Sequence, residues 1–323
     1  MIPRVPDHGG GLARAKARFG DGADWLDLST GINPWPYPVP ALAGDAWHRL
    51  PDEDALAALQ HAAQGFYGAG PVAAAPGSQA LIQLLPRLLP PTEVAIAAPS
   101  YAEHVRCWRL AGHSVIETDD PLATDAAVVV VVDPNNPDGR RWPAAALHEA
   151  ARSRAARGGL VVVDQAFAEV VEPAALDLGR PGLVALRSFG KFFGLAGLRL
   201  GFALGAPWWV ARIEDALGPW AVSGPALAIG RAALADAGWA AATRIRLAAT
   251  AAALDAVLDR PGFAPAGGTD LFRLVRAADA AAAFERLGRA HILVRNFSYR
   301  PDWLRFGLPP DEAALVRLDR ALS

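Results

Sequence analysis

Lysine is almost missing from this chain: of 31 basic residues in 323, two are lysines, Lys16 and Lys191, and the remaining 29 are arginines. Cysteine is reduced to Cys107, which excludes an intrachain disulfide and a cysteine-based metal cluster. Cys107 reads as a small buried apolar residue, and the expected setting is the reducing cytoplasm. No apolar run approaches the roughly 20 residues of a membrane-spanning helix, and "AAVVVVV" (126–132) has the length of a buried strand. The opening "MIPRVPDHGGGLARAKARFG" lacks the apolar core of a secretory leader. A formal net charge of -2 gives no general pull toward nucleic acid or an anionic membrane.

What the chain does have is apolar residues, 52% of the total, enough to fill a substantial core. Residues 1–40 are rich in Gly and Pro; "STGINPWPYPVP" is neither helix nor central strand, and an extended arm over a surface or a neighbouring subunit is expected. From Pro51 helices and short apolar strands alternate. "DEDALAALQHAAQGF" is a helix, and "VAAA" (72–75) a strand. Ser78 is the expected N-cap of the helix "QALIQLLPRLL", which Pro86 kinks or ends. Further strands are expected at 94–98, 114–117, 128–132, 160–163 and 183–186, with a helix at 144–157. Continuous apolar strands between helices imply an α/β fold: a mostly parallel central sheet with helices on both faces. After about residue 215 an alanine-rich helical stretch (225–258) leads to strands near 271–275, 291–294 and 303–308 and a last helix from Asp311. The expected organisation is an amino-terminal arm (1–36) joining a small α+β domain (216–323), around a large domain (37–215).

In a chain that otherwise uses arginine, Lys191 sits in "RSFGKFFGLAGLRLGF". An amine condenses with an aldehyde to form a Schiff base and a guanidinium does not, and apolar surroundings help it shed its proton. The plain alternative is a lysine whose stem packs on Phe192 and Phe193. Its neighbours point to chemistry. Ser188 and Arg199 suit a phosphate ester, and the turn Gly77–Ser78–Gln79 opens a helix whose free N–H groups attract an anion. Asp164 ends an apolar strand, where α/β proteins bind ligands, and could keep a pyridine nitrogen protonated. In "DPNNPDG" (133–139) Asn136 offers an amide to a ring oxygen. Each of these, taken singly, also reads as an ordinary turn or cap.

"NNPDG", "VVVDQAF" and "SFGKFFGLAGLRLGF" in this order resemble the fold-type I pyridoxal 5'-phosphate enzymes related to aspartate aminotransferase. The resemblance implies Lys191 as the residue carrying the cofactor and shuttling protons, Asp164 on the ring nitrogen and Asn136 on the ring hydroxyl. It also implies Tyr101 stacked on the ring, and Gly77, Ser78, Gln79, Ser188 and Arg199 at the cofactor phosphate. "DHGGGL", "LDLSTGINPWPYPVP", "RLPDEDALAAL", "GPWAVSGPAL" and "ILVRNF…LRFGLP" are similar to the L-threonine-O-3-phosphate decarboxylases of cobalamin biosynthesis, relatives of histidinol-phosphate aminotransferases. That branch implies a small phosphorylated amino-acid substrate and a homodimer. Its phosphate and carboxylate would be held by His8, Gly9, Asn33, Arg295 and Arg305. Three positions depart from related sequences: Gln165 replaces a usual glutamate, Phe167 a tyrosine of many aminotransferases, and Leu50 a tyrosine that reaches across the dimer. Two outcomes stay open. Decarboxylation follows if the carboxylate stands perpendicular to the cofactor ring, transamination if the Cα–H bond does; a cofactor-free binding module on the same scaffold is the non-enzyme alternative.

Overall fold

The computed structural model describes residues 8–22, 24–68, 70–171 and 176–323. Residues 1–7, which include the start of the expected arm and Asp7 of "DHGGGL", lie outside the described residues. In chain order the elements begin with α1 (Leu12–Phe19), β1 (Leu26–Asp27), α2 (Asp45–His48) and α3 (Glu53–Tyr67). Next come β2 (Val72–Ala75), α4 (Ser78–Leu84), β3 (Glu93–Ala97), α5 (Ala102–Leu110), β4 (Ser114–Thr118) and β5 (Val128–Val132). They continue with α6 (Ala144–Ala155), β6 (Leu160–Asp164), β7 (Leu183–Ser188), α7 (Phe189–Phe192), β8 (Gly201–Gly205) and α8 (Pro207–Leu217). The rest are α9 (Gly224–Ala235), α10 (Ala237–Leu258), β9 (Phe263–Thr269), β10 (Phe272–Ala277), α11 (Ala280–Arg289), β11 (Ile292–Leu293), β12 (Arg295–Phe297), β13 (Arg300–Gly307) and α12 (Glu312–Leu322).

Two compact units result. The first holds Pro36–Asn136 and Arg141–Ala240; the second holds the described residues up to Trp35 together with Pro137–Arg140 and Ala241–Ser323. Composition places a boundary near residue 215, whereas the observed division falls inside α10. The reason is α9, which packs on α3 within the first unit, with Gly230 against Leu59 and Leu200.

The first unit is built on a seven-stranded sheet in the order β2-β8-β7-β6-β5-β3-β4. All its neighbours are parallel except β8, which runs against both β2 and β7. Helices cover both sides. Because both faces are covered, β5, β6 and β8 are buried at every residue, and the five valines of β5 need no polar alternation. Burial of each such valine contributes about 1.5–3 kcal/mol relative to exposure. The second unit has an antiparallel sheet, β12-β13-β10-β9, and a separate parallel pair, β1 with β11.

Several local expectations change. The first forty residues are not simply an extended arm: "LARAKARF" forms α1, β1 pairs in register with β11, and Leu28, Ser29 and Asn33 are buried. Ser78 is not an N-cap. Gly77 precedes the first helical turn, Ser78 lies within α4, and no side chain caps that helix. Near Pro86 the helix does end, giving way to a 3-10 turn over Leu85–Leu88. The alanine-rich stretch breaks at Asp236, whose carboxylate accepts the Trp239 N–H at 2.8 Å and starts α10 afresh. Among the described residues, no helix is long and apolar enough to cross a membrane.

Cys107 is buried on α5, and burial together with the Glu103 carboxylate pushes its thiol up to about 11. At pH 8 roughly 0.1% of such a thiol is ionised, against about 10% of an unshifted one. Alkylation of the native protein by iodoacetamide is therefore expected to run about a hundredfold slower than in denaturant. Equal rates would contradict this burial.

Candidate active site

Strand direction assembles the site. Parallel strands present their carboxyl ends at one edge of a sheet, and ligands bind there. β5, β6 and β7 are neighbours, so the segments leaving them carry Asn136, Asp164 and Lys191 side by side. β8 runs the other way and contributes its amino end to the same edge. Its first residue, Gly201, is the register partner of both Ala75 and Ser188. That pairing draws Arg199, the end of β7 and the Gly77–Gln79 turn together.

The outcome is a cavity of about 150 Å³ within the first unit. Its walls include Ser78, Gln79, Tyr101, Asn136, Asp164, Ser188, Lys191 and Arg199. Gly77 completes this set from behind, since a Cβ built on it would lie 2.6 Å from the Arg199 guanidinium. All nine residues expected at a cofactor are thus gathered in one place. The bare turn, the first N–H groups of α4, Ser188 and Arg199 form a cradle suited to a phosphate ester. A buried carboxylate and an amine share the same cavity. This donor set fits a phosphorylated pyridine aldehyde.

Hydrogen bonds beneath the cavity fix its walls. Asp164 is 3% exposed and receives His104 Nε2 at 2.9 Å on one carboxylate oxygen and the Ala166 N–H at 3.0 Å on the other. The Tyr101 hydroxyl donates to Gln79 Oε1 at 3.1 Å, while Gln79 Nε2 donates to Glu103 Oε2 at 3.0 Å. Burial, followed by the nearby Glu103 and Asp164 carboxylates, pushes the Tyr101 hydroxyl far above its ordinary value, so it stays protonated. The loop carrying Asn136 is clasped from both ends. Asp133 Oδ1 accepts from Arg141 Nε at 2.7 Å and from the Trp142 N–H at 3.2 Å. Asn135 accepts from Ser100 Oγ at 2.8 Å and donates to the Pro99 carbonyl at 2.9 Å. Lys191 Nζ stands 5.5 Å from the centroid of the Phe167 ring. His104 and Glu103 escaped the sequence reading, although "YAEH" at a helix start already placed them one turn from Tyr101.

The other five expected residues all belong to the second unit. His8, Gly9 and Arg295 line a cavity of about 250 Å³ there, along with Arg14 and Arg18. Arg305 and Asn33 are not in that lining. Arg305 is the register partner of Arg295 across β12 and β13. It is 6% exposed and donates from Nη2 to the Ser29 carbonyl at 2.9 Å. Burial and the neighbouring Arg295 charge push its guanidinium down to about 10, which leaves it charged at neutral pH. Asn33 is buried and accepts the Trp35 N–H at 2.9 Å.

Gly77 has a φ of 86°, a region that costs a residue bearing a Cβ about 1–2 kcal/mol. Gly77→Ala adds that strain and forces Arg199 back. The expected result is a lower melting temperature and at least tenfold weaker retention of a phosphorylated cofactor, measured by dialysis. Unchanged retention would show that the turn and Arg199 do not hold the phosphate.

Comparison with known proteins shows the chain's family. A threonine-phosphate decarboxylase from Sinorhizobium sp is 47% identical over 98% of this chain and 97% of its own length. A threonine-phosphate decarboxylase from Pseudomonas aeruginosa is 46% identical with the same coverage. Among solved structures, histidinol-phosphate aminotransferase from Sinorhizobium meliloti in complex with pyridoxal-5'-phosphate superposes with a TM-score of 0.81 at 23% identity, covering 99% of this chain and 94% of that one. The model of the aminotransferase class I and II family matches residues 23–320, and the chain belongs to that family.

Proposed function

We propose that this protein is a pyridoxal 5'-phosphate-dependent lyase that decarboxylates L-threonine O-3-phosphate to (R)-1-amino-2-propanol O-2-phosphate in cobalamin biosynthesis. The observation that carries the reading is the single cavity shared by the Lys191 amine and the Asp164 carboxylate, floored by Tyr101 and edged by a phosphate cradle. Two relatives alike over nearly their whole length are named for this reaction.

In this reading Ser78, Ser188, Arg199 and the N–H groups after Gly77 hold the cofactor phosphate, Asn136 holds the ring hydroxyl and Asp164 the ring nitrogen. When bound, pyridoxal phosphate supplies a sink for the electron pair left at Cα after a bond there breaks. The chain's own residues do the rest. His104 holds Asp164 in place, so its carboxylate keeps a fixed direction. Lys191 Nζ moves the proton at Cα. Arg295 and Arg305 supply two fixed positive groups, the complement of a phosphate dianion plus a carboxylate. Arg305 is buried, so water competes little with an anion for it. Its partner Phe272 lies beneath the guanidinium at 4.9 Å from the ring centroid.

The protein is read as a cytoplasmic homodimer. Support comes from the first unit, where Trp47, Leu50 and Trp220 are 67%, 66% and 59% exposed, large apolar side chains that a partner subunit would take out of water. Leu50 stands where related sequences have a tyrosine, so the cross-subunit contact would be apolar.

The test is incubation of the purified protein with pyridoxal phosphate and threonine phosphate. Carbon dioxide and aminopropanol phosphate are expected in equal amounts. Lys191→Ala is expected to slow this by at least about 10²–10⁴, the contribution of a positioned proton-transfer group. Glutamate formed from histidinol phosphate and 2-oxoglutarate, with no carbon dioxide from threonine phosphate, would replace this reading with an aminotransferase.

A further inference from the structure

One buried carboxylate has no part in the chemistry above. Glu103, on the first turn of α5, is 4% exposed. Its Oε2 accepts from Gln79 Nε2 at 3.0 Å and lies 3.4 Å from Arg106 Nη1 and 3.9 Å from the Cys107 thiol. The far side of the same Gln79 amide receives the Tyr101 hydroxyl. A carboxylate oxygen beside an arginine has no hydrogen to give, so Gln79 must turn its NH2 toward Glu103. Its carbonyl then faces Tyr101, and the tyrosine must donate. The line of bonds has one direction, and Glu103 sets it.

We propose that Glu103 is a positioning residue: acting through Gln79, it fixes the plane of the Tyr101 ring and the direction of its hydroxyl hydrogen. This rests on the reading of the cavity as a pyridoxal phosphate site with Tyr101 against the ring. Two consequences follow. The ring platform and the phosphate cradle become one rigid piece, because the backbone N–H of Gln79 belongs to the cradle and its side chain to the platform. The hydroxyl hydrogen is committed to Gln79 rather than to a ligand in the cavity. Because burial keeps Tyr101 protonated, that commitment holds across the working pH range.

The experiment is a double-substitution cycle on the holoprotein, with Glu103→Gln, Tyr101→Phe and the two combined. The readouts are the visible circular-dichroism band of the bound cofactor and its release rate into a large excess of an apo-protein trap. Glu103→Gln makes the Gln79 amide free to turn over. It is expected to weaken the band and speed release about 2- to 10-fold, the range of one lost hydrogen bond. In the Tyr101→Phe background it is expected to change release less than twofold, because the hydroxyl it acts on is gone. An equal effect in both backgrounds means that Glu103 only supports the fold, and overturns the proposal, as does no effect in either. Should Glu103→Gln fold poorly, Gln79→Leu leaves the Glu103–Arg106 pair intact and is held to the same two outcomes. A wild type without any cofactor band would bring down the underlying site as well; a normal band with uncoupled substitutions brings down this inference alone.

Discussion

One strand laid against the direction of its neighbours organises the molecule's candidate chemistry. Six strands of the central sheet run the same way and send their carboxyl ends to one edge, where backbone must leave the hydrogen-bonded ladder. β8, between β2 and β7, is reversed, and so delivers the chain that precedes it to that edge. Arg199 occupies that segment with a left-handed φ of 55°. Such a backbone is strained for arginine, and it lies between the turn over Ala196–Leu198 and the start of β8. The cradle thus rests on sheet pairing rather than on loop flexibility, which is what a site needs to hold a small anion in a fixed place.

Around that edge the protein gives its buried carboxylates basic partners. Asp164 with His104, Asp133 with Arg141 and Glu169 with Arg187 each include a carboxylate that is 4% exposed or less. Buried pairs of this kind contribute little net stability, since desolvation offsets most of their attraction. Their value lies in geometry: Asp133 holds the loop of Asn136, Asp164 faces the cavity, and Arg187 immediately precedes Ser188. Lys191 and Arg187 each have an aromatic ring nearby, Phe167 at 5.5 Å and Tyr67 at 4.9 Å.

Much of this was legible in the sequence, for physical reasons. Apolar runs such as "VVVVV" have few uses other than a doubly covered strand. A lone amine among arginines narrows the chemistry, and an aspartate closing such a run has to lie at the ligand edge. Other features were not legible. β8 reads "GFALG", without the β-branched residues that mark its neighbours, and its direction follows only from the pairing. Ser78 has the chemistry of a cap, yet Gly77 occupies that position because Arg199 leaves no room for a side chain. The expected arm became a helix and a paired strand because β11 offers Leu26 and Asp27 a partner far along the chain. His104 and Glu103 are ordinary helix residues until the fold places Asp164 and Gln79 opposite them.

The central claim is that the amine of Lys191 carries the cofactor. A chain with two lysines allows an unusually direct test. The protein, loaded with pyridoxal phosphate, is reduced with borohydride, digested, and the peptides are weighed by mass spectrometry. The account requires one phosphopyridoxyl group per chain, on the peptide containing Lys191. A label confined to Lys16 or the terminal amine, or no label at all, would contradict it.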